Sequence, residues 1–274
     1  MSLSLRRRRR FEQAETDEEG LIRPPRVLRN EHLRHIEQHF GPLRREPADY
    51  PVDVTCVFLC FINRSGSNYL AELLASSYQY NRAGEVLNHP LVLEVSKGRG
   101  LARFQDFFAH VVTRQQQSGH FFVKTAIQHL EILTRAGVLD QIADRSRFIM
   151  LERNDVLGQA ISFALAFATR AFSSEVEGSA NPEDIVYSRE TIDRYLETIA
   201  MSREQFAMFF GRNGIVPVRV MYEQLIADPE GDVTRLACEL GLSDFCLDMS
   251  NVRLQRQSGP VNEEWRRRYL YERP

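Results

Sequence analysis

The sequence predicts an α/β protein, a three-layer fold with a mainly parallel central sheet flanked by helices. Two observations carry that prediction. The apolar run Val57 to Ile62 ends in a polar turn, Asn63 to Asn68, and an amphipathic run follows with Leu70, Leu73 and Leu74 at helical spacing. This reads as strand, tight loop, helix. Strand-like apolar segments then recur near 121–125, 147–152 and 215–221, each followed by a helical pattern. Strands alternating with helices imply parallel strands buried on both faces.

Along the chain, residues 1 to about 25 read as a disordered tail, with the Arg6–Arg10 run beside Glu12, Glu15, Asp17, Glu18 and Glu19. Residues 26–50 read as a helical extension and linker. Leu33, Ile36 and Phe40 share one helix face, and Pro42 and Pro51 flank the approach to the first strand. Residues 51–274 form the main domain. Gly84 to Gly100, with Pro90, reads as mostly irregular, and a helix is expected over Leu101 to Arg114. The strand Phe121 to Thr125 leads to a helix near 127–136 that ends at Gly137. A third strand, Arg147 to Glu152, passes through Arg153-Asn154-Asp155 into a helix reaching about Phe172. A polar loop over 173–186 precedes a long helix carrying Ile192, Tyr195, Leu196 and Ile199 on one face. The fourth strand, Ile215 to Met221, precedes a helix from about Pro229 to Leu240, and the chain from Asn251 is polar and arginine-rich. In such folds ligands gather at the carboxyl ends of the strands.

Composition narrows the function classes. Hydrophobic residues make up 43% of 274, enough for a sizeable core, and the net charge is −2. No global charge argues for nucleic acid, so any anion site needs locally placed basic residues. No apolar run reaches membrane-spanning length and no secretory signal pattern is present, so a cytoplasmic location is expected. Cys56, Cys60, Cys238 and Cys246 make neither a metal pattern nor a dense disulfide framework, and reduced core cysteines are expected. Of 35 basic residues only Lys97 and Lys124 are lysines, which draws attention to Lys124 at a strand end.

The loop Arg64-Ser65-Gly66-Ser67-Asn68 offers a glycine, hydroxyl and amide side chains and an arginine at a helix N-terminus. The dipole and free N–H groups there favour a phosphate or sulfate. It is not an ATP loop: no lysine follows Gly66, no earlier glycine opens it, and Glu152 and Asp155 make no clear Mg²⁺ carboxylate. A metal-dependent kinase is therefore a distant reading.

With Tyr69 and Leu70, this loop resembles the 5′-phosphosulfate loop of sulfotransferases that use 3′-phosphoadenosine 5′-phosphosulfate (PAPS). Arg153-Asn154-Asp155-Val156, running to Ser162 and then Thr169-Arg170 and Phe172, is similar to the 3′-phosphate element of the trehalose 2-sulfotransferase-type bacterial branch. Leu254, Arg256-Gln257, Glu264-Trp265 and Tyr269 resemble that branch's closing segment. The resemblance implies a P-loop-like fold and a transfer of a sulfuryl group from PAPS to a hydroxyl of a small-molecule, carbohydrate or lipid acceptor, without metal. It implies a PAPS site made by Arg64, Ser65, Gly66, Ser67, Asn68, Tyr69, Arg153, Ser162 and Arg256, and a homodimer among the partners. Arginine suits a bidentate phosphate grip. For Ser162 the assignment rests on the resemblance, because it lies two to three turns along its helix. Trp265 fits a packing anchor at least as well as a site role.

Sulfuryl transfer needs an in-line nucleophile, stabilisation of the bridging oxygen and a base for the acceptor's proton. Lys124 is the cation for the bridging oxygen or the transferring group. The eukaryotic histidine base is absent, because Ala126 follows Lys124-Thr125. The trehalose-type branch uses a glutamate four residues beyond a Gly-Glu pair, and here Gly84-Glu85 is followed at that place by Asn88. Glu85 is the chosen base, with His89 and His129 as lesser candidates. The missing glutamate also leaves open a second function class, a non-catalytic nucleotide-binding or scaffold protein that keeps the fold. The acceptor pocket is expected between Glu85 and Gln116 and along 173–187.

Overall fold

The computed structural model describes residues 21–170, 180–242, 245–253 and 259–272. Four parallel strands form its sheet: β1 (Thr55–Phe61), β2 (His120–Thr125), β3 (Ser146–Glu152) and β4 (Val218–Met221), in the order β2-β1-β3-β4. β1 lies between β2 and β3, with Phe58 facing Val123 on one side and Phe148 on the other. The order reverses at β1, so the crevice at its carboxyl end is where a ligand has room.

Side-chain alternation divides the core. Cys56, Phe58, Cys60, Phe121, Val123, Phe148 and Met150 enter one buried cluster, and Val57, Leu59, Phe122, Ile149 and Leu151 enter another. Both faces of each central strand are therefore dry, which the period of two along a strand produces. On the first face lie α1 (Glu31–Phe40), α3 (His89–Arg99), α4 (Phe104–Gln115), α5 (Ile127–Arg135), the short α6 (Val138–Gln141), α7 (Val156–Thr169) and α8 (Arg189–Arg212). The second face is covered by α2 (Ser67–Ala75), α9 (Tyr222–Ala227) and α10 (Pro229–Leu240), and α11 (Pro260–Tyr271) closes the chain with Trp265 buried in the first cluster. The expected three-layer α/β fold with a parallel central sheet is present.

Several local expectations need correction. The segment 84–100 is not irregular throughout. Residues 89–99 are helical, because Pro90 occupies the first turn, where no N–H is needed, and Gly100 closes the end at φ +65°. β4 starts at Val218 rather than Ile215: Pro217 has no N–H to give a ladder, and the Ile215 N–H bonds back to the Phe210 carbonyl. The helix after β3 is described only to Thr169, and Phe172 and residues 173–179 of the expected 173–186 loop lie outside the described residues. The tail over 1–20 lies outside them too. Cys56 and Cys60 are in the core, whereas Cys238 and Cys246 are exposed; all four are free thiols. No helix among the described residues is long and apolar enough to cross a membrane.

Candidate active site

The β1–α2 loop is shaped by two left-handed residues, Arg64 at φ +65° and Gly66 at φ +94°. Ser65 between them donates its N–H to the Ile62 carbonyl at 3.1 Å. Gly66 is required twice over: an L side chain is strained at that φ, and a Cβ would run into the Tyr222 ring. No side chain caps α2, so its first-turn N–H groups are left for a guest. Ser65 is buried, and its hydroxyl has no hydrogen-bond partner among the described residues.

Two arginines stand over this loop. Arg64 Nε donates to Ser162 Oγ at 3.0 Å, which brings Ser162 to the loop despite its distance along α7. Arg153 Nη1 donates to the Arg64 carbonyl and Nη2 to Asp155, both at 3.3 Å, at the long end of the range for useful bonds. Its Nε is buried without a partner among the described residues, its side chain is only 13% exposed, and its guanidinium lies 5.0 Å from the Tyr222 ring centre. Burial, together with the nearby Arg153 charge, lowers the pKa of Arg64. Two adjacent, poorly solvated guanidiniums call for an anion. The Asp155 carboxylate that Arg153 reaches is shared: Arg266 Nη2 reaches its two oxygens at 2.7 and 2.5 Å. Asp155 also caps α7 through the Gly158 N–H at 3.0 Å. Burial would raise the Asp155 carboxyl, but the Arg266 bond and the Gly158 N–H outweigh it and hold it below its usual range.

The other half of the site forms where Gly84 pairs alongside β2. The Lys124 N–H bonds the Gly84 carbonyl at 2.9 Å, which sets Glu85 beside the Lys124 side chain. Lys124 Nζ donates at 2.6 Å to both Glu85 Oε1 and Asn68 Oδ1, and lies 4.7 Å from the Phe61 ring centre. Its side chain is 5% exposed. Burial lowers the Lys124 pKa despite Glu85. For Glu85, burial acts upward, but the Lys124 ammonium and the Asn88 amide prevail and lower its pKa. Asn88 Nδ2 donates to Glu85 Oε2 at 2.9 Å.

These groups line one cleft of about 1310 Å³ at the carboxyl ends of the strands. Arg64, Gly66, Ser67, Asn68, Tyr69, Glu85, Lys124, Arg153 and Ser162 all line it, and Ser65 is buried beneath them. Arg256 lies outside the described residues. His89 is at the start of α3, stacked on His35 with ring centres 4.3 Å apart, and is not a lining residue. His129 is buried, with its Nδ1 accepting the Ala126 N–H. Trp265 packs edge-on against Tyr187, as an anchor does. Tyr222 and Arg266 were missed from sequence. The signal for Tyr222 was present, an aromatic directly after the last strand; Arg266 sits in an arginine run with nothing to single it out. Arg29, Asn30, His32 and Arg34 of the N-terminal extension also line the cleft.

The family model for Stf0 sulphotransferase matches residues 92–272. This chain belongs to the Stf0 sulphotransferase family. The match covers Lys124, Arg153 and Ser162, while the Arg64–Asn68 loop, Glu85 and Asn88 precede it. Trehalose 2-sulfotransferase of Mycobacterium tuberculosis is 26% identical over 140 residues, which are 51% of this chain and 51% of that protein. The chain thus spans about half the length of that relative. A sulfotransferase from Alicyclobacillus acidocaldarius superposes with a TM-score of 0.46 at 16% identity, covering 78% of this chain and 90% of its own. The sulfotransferase domain of a Synechococcus PCC 7002 olefin synthase gives 0.37 at 15% identity, over 85% and 99%. Superpositions this loose say nothing about the site.

Proposed function

We propose that this Stf0 family member moves the sulfuryl group of PAPS to a hydroxyl of a small-molecule, carbohydrate or lipid acceptor. The observation that carries the reading is the pairing of Arg64 and Arg153, both poorly solvated, over a helix N-terminus that lacks an ATP-loop lysine. The α2 N–H groups, with Ser65 and Ser67, receive the 5′-phosphosulfate. Arg153 and Ser162 receive the 3′-phosphate, and Arg256 is a further cofactor contact. Lys124 stabilises the bridging oxygen as the S–O bond breaks, and its three donors suit that task, because Asn68 and Glu85 use only two. Glu85 takes the acceptor's proton.

Calorimetry with the product nucleotide, 3′-phosphoadenosine 5′-phosphate (PAP), tests the donor side. Binding is expected in the presence of a chelator, and folded protein that binds no PAP would end the proposal. A second reading, a nucleotide-binding scaffold that keeps the fold, is motivated by Asn88 at the place of the expected glutamate. PAP binding with no transfer of radiolabelled sulfate to any acceptor in a broad screen would favour it.

A further inference from the structure

The groups behind Glu85 form a directed chain of hydrogen bonds that starts at a backbone amide. The Ala126 N–H donates to His129 Nδ1 at 3.1 Å. That fixes the histidine tautomer, so Nε2 carries the proton and donates to Asn88 Oδ1 at 3.0 Å. The Asn88 amide is thereby oriented, and its Nδ2 must donate to Glu85 Oε2. Lys124 closes the chain from the other side at Glu85 Oε1. Each donor and acceptor has one consistent assignment. Asn88 also begins α3, where an asparagine side chain ordinarily caps the helix, yet it makes no cap bond and is turned to the bridge instead. The Asn88 N–H bonds the Glu85 carbonyl at 3.1 Å, which holds the two residues in one turn.

We propose that Asn88 and His129 are positioning residues that hold Glu85 as the carboxylate base of sulfuryl transfer. This rests on the sulfotransferase reading above. Asn88 is then not a lost base but the donor that makes the neighbouring Glu85 usable. A glutamate at 88 would set a second carboxylate against Glu85 and remove that donor. The carboxylate offers about four lone-pair sites, of which Lys124 and Asn88 occupy two, so it can still accept the hydroxyl proton. In the step itself the acceptor O–H bond breaks and the proton passes to Glu85. The acceptor oxygen bonds to sulfur, and the bond from sulfur to the bridging oxygen breaks with its electron pair left on PAP beside Lys124. Burial and the neighbouring His32 push His129 down to about 3, so it stays neutral throughout.

Carboxyl-labelled glutamate NMR on the full chain tests this by following Glu85 through a pH titration, assigned with Glu85→Gln. Asn88→Ala should move the Glu85 midpoint up by about one pH unit, the worth of one hydrogen bond to a charged group. Isosteric Asn88→Asp, which guards against a packing defect, should move it further. The acidic limb of PAPS turnover should rise with it, with kcat falling and the KM for PAPS unchanged. PAP affinity should stay within about twofold of wild type, because the donor site is untouched. PAP binding with a Glu85 midpoint that Asn88→Ala and Asn88→Asp leave unmoved would overturn the relay alone. Absence of PAP binding by the wild type would overturn the sulfotransferase reading, and this proposal with it.

Discussion

Gly66→Ala is the most exacting single change to the anion loop. The residue sits at φ +94°, and a methyl group there meets the Tyr222 ring at less than van der Waals distance. Two costs follow. A side chain in left-handed conformation costs roughly 1–2 kcal/mol, and forcing the ring aside in a packed site costs roughly 1–3 kcal/mol. A loss of about 2–5 kcal/mol in unfolding free energy is therefore expected. Tyr222 also stacks on the Arg153 guanidinium, 5.0 Å from its ring centre, so PAP affinity should fall as well. Urea denaturation of Gly66→Ala, Tyr222→Ala and the double variant separates the two costs. Removing the ring should rescue the packing part and leave the backbone part, giving a coupling of about 1–3 kcal/mol. Strictly additive losses would refute the claim that the ring and the glycine share one space.

Further expectations can be checked together. Arg153→Ala should weaken PAP about 10- to 100-fold by calorimetry, the worth of charged hydrogen bonds, and adenosine 5′-phosphosulfate, which lacks the 3′-phosphate, far less; equal losses would count against the assignment. Lys124→Met should cut sulfuryl transfer by about 10²–10³-fold while PAP still binds, whereas near-normal turnover would remove Lys124 from the reaction. His129 is buried neutral with its pKa depressed to about 3 from 6.5. Between those values the unfolded chain binds a proton that the folded chain does not, so stability should fall as pH drops from about 6.5 towards 3. His129→Gln should flatten that part of a thermal-melt profile, and an unchanged slope would contradict it. In the core, Phe58→Ala should cost roughly 3–5 kcal/mol in urea unfolding, since Phe58 is fully buried between β2 and β3; a loss below about 1 kcal/mol would argue against the packing of β1.

Much of the fold was legible because its signals are local. The apolar runs of β1, β2 and β3 and the amphipathic helices between them repeat at periods that backbone geometry imposes, and the strand–loop–helix unit at Arg64–Asn68 marks itself by composition. The helix over 89–99 was hidden because Pro90 and Gly98 read as breaks, although a proline in the first turn is tolerated. α11 was hidden by its arginines, which leave little apolar periodicity; Trp265 is its one buried residue. At the candidate site, Arg64 stood out by its place in the loop and Arg153 by the family resemblance, and both line the cleft. The contact of Arg64 with Ser162 joins α7 to the β1–α2 loop, a tertiary fact that periodicity does not carry. The same is true of Asn88. In sequence it marks a missing carboxylate; in three dimensions it donates to one.

A structure of the chain bound to PAP tests the central claim most directly. The account predicts the 5′-phosphate on the first turn of α2, within hydrogen-bond distance of Ser65 or Ser67, and the 3′-phosphate between Arg153 and Ser162. Lys124 and Glu85 should then face the space where the sulfuryl group and the acceptor hydroxyl meet. A nucleotide bound away from the Arg64–Asn68 loop, or with its 3′-phosphate out of reach of Arg153, would contradict it.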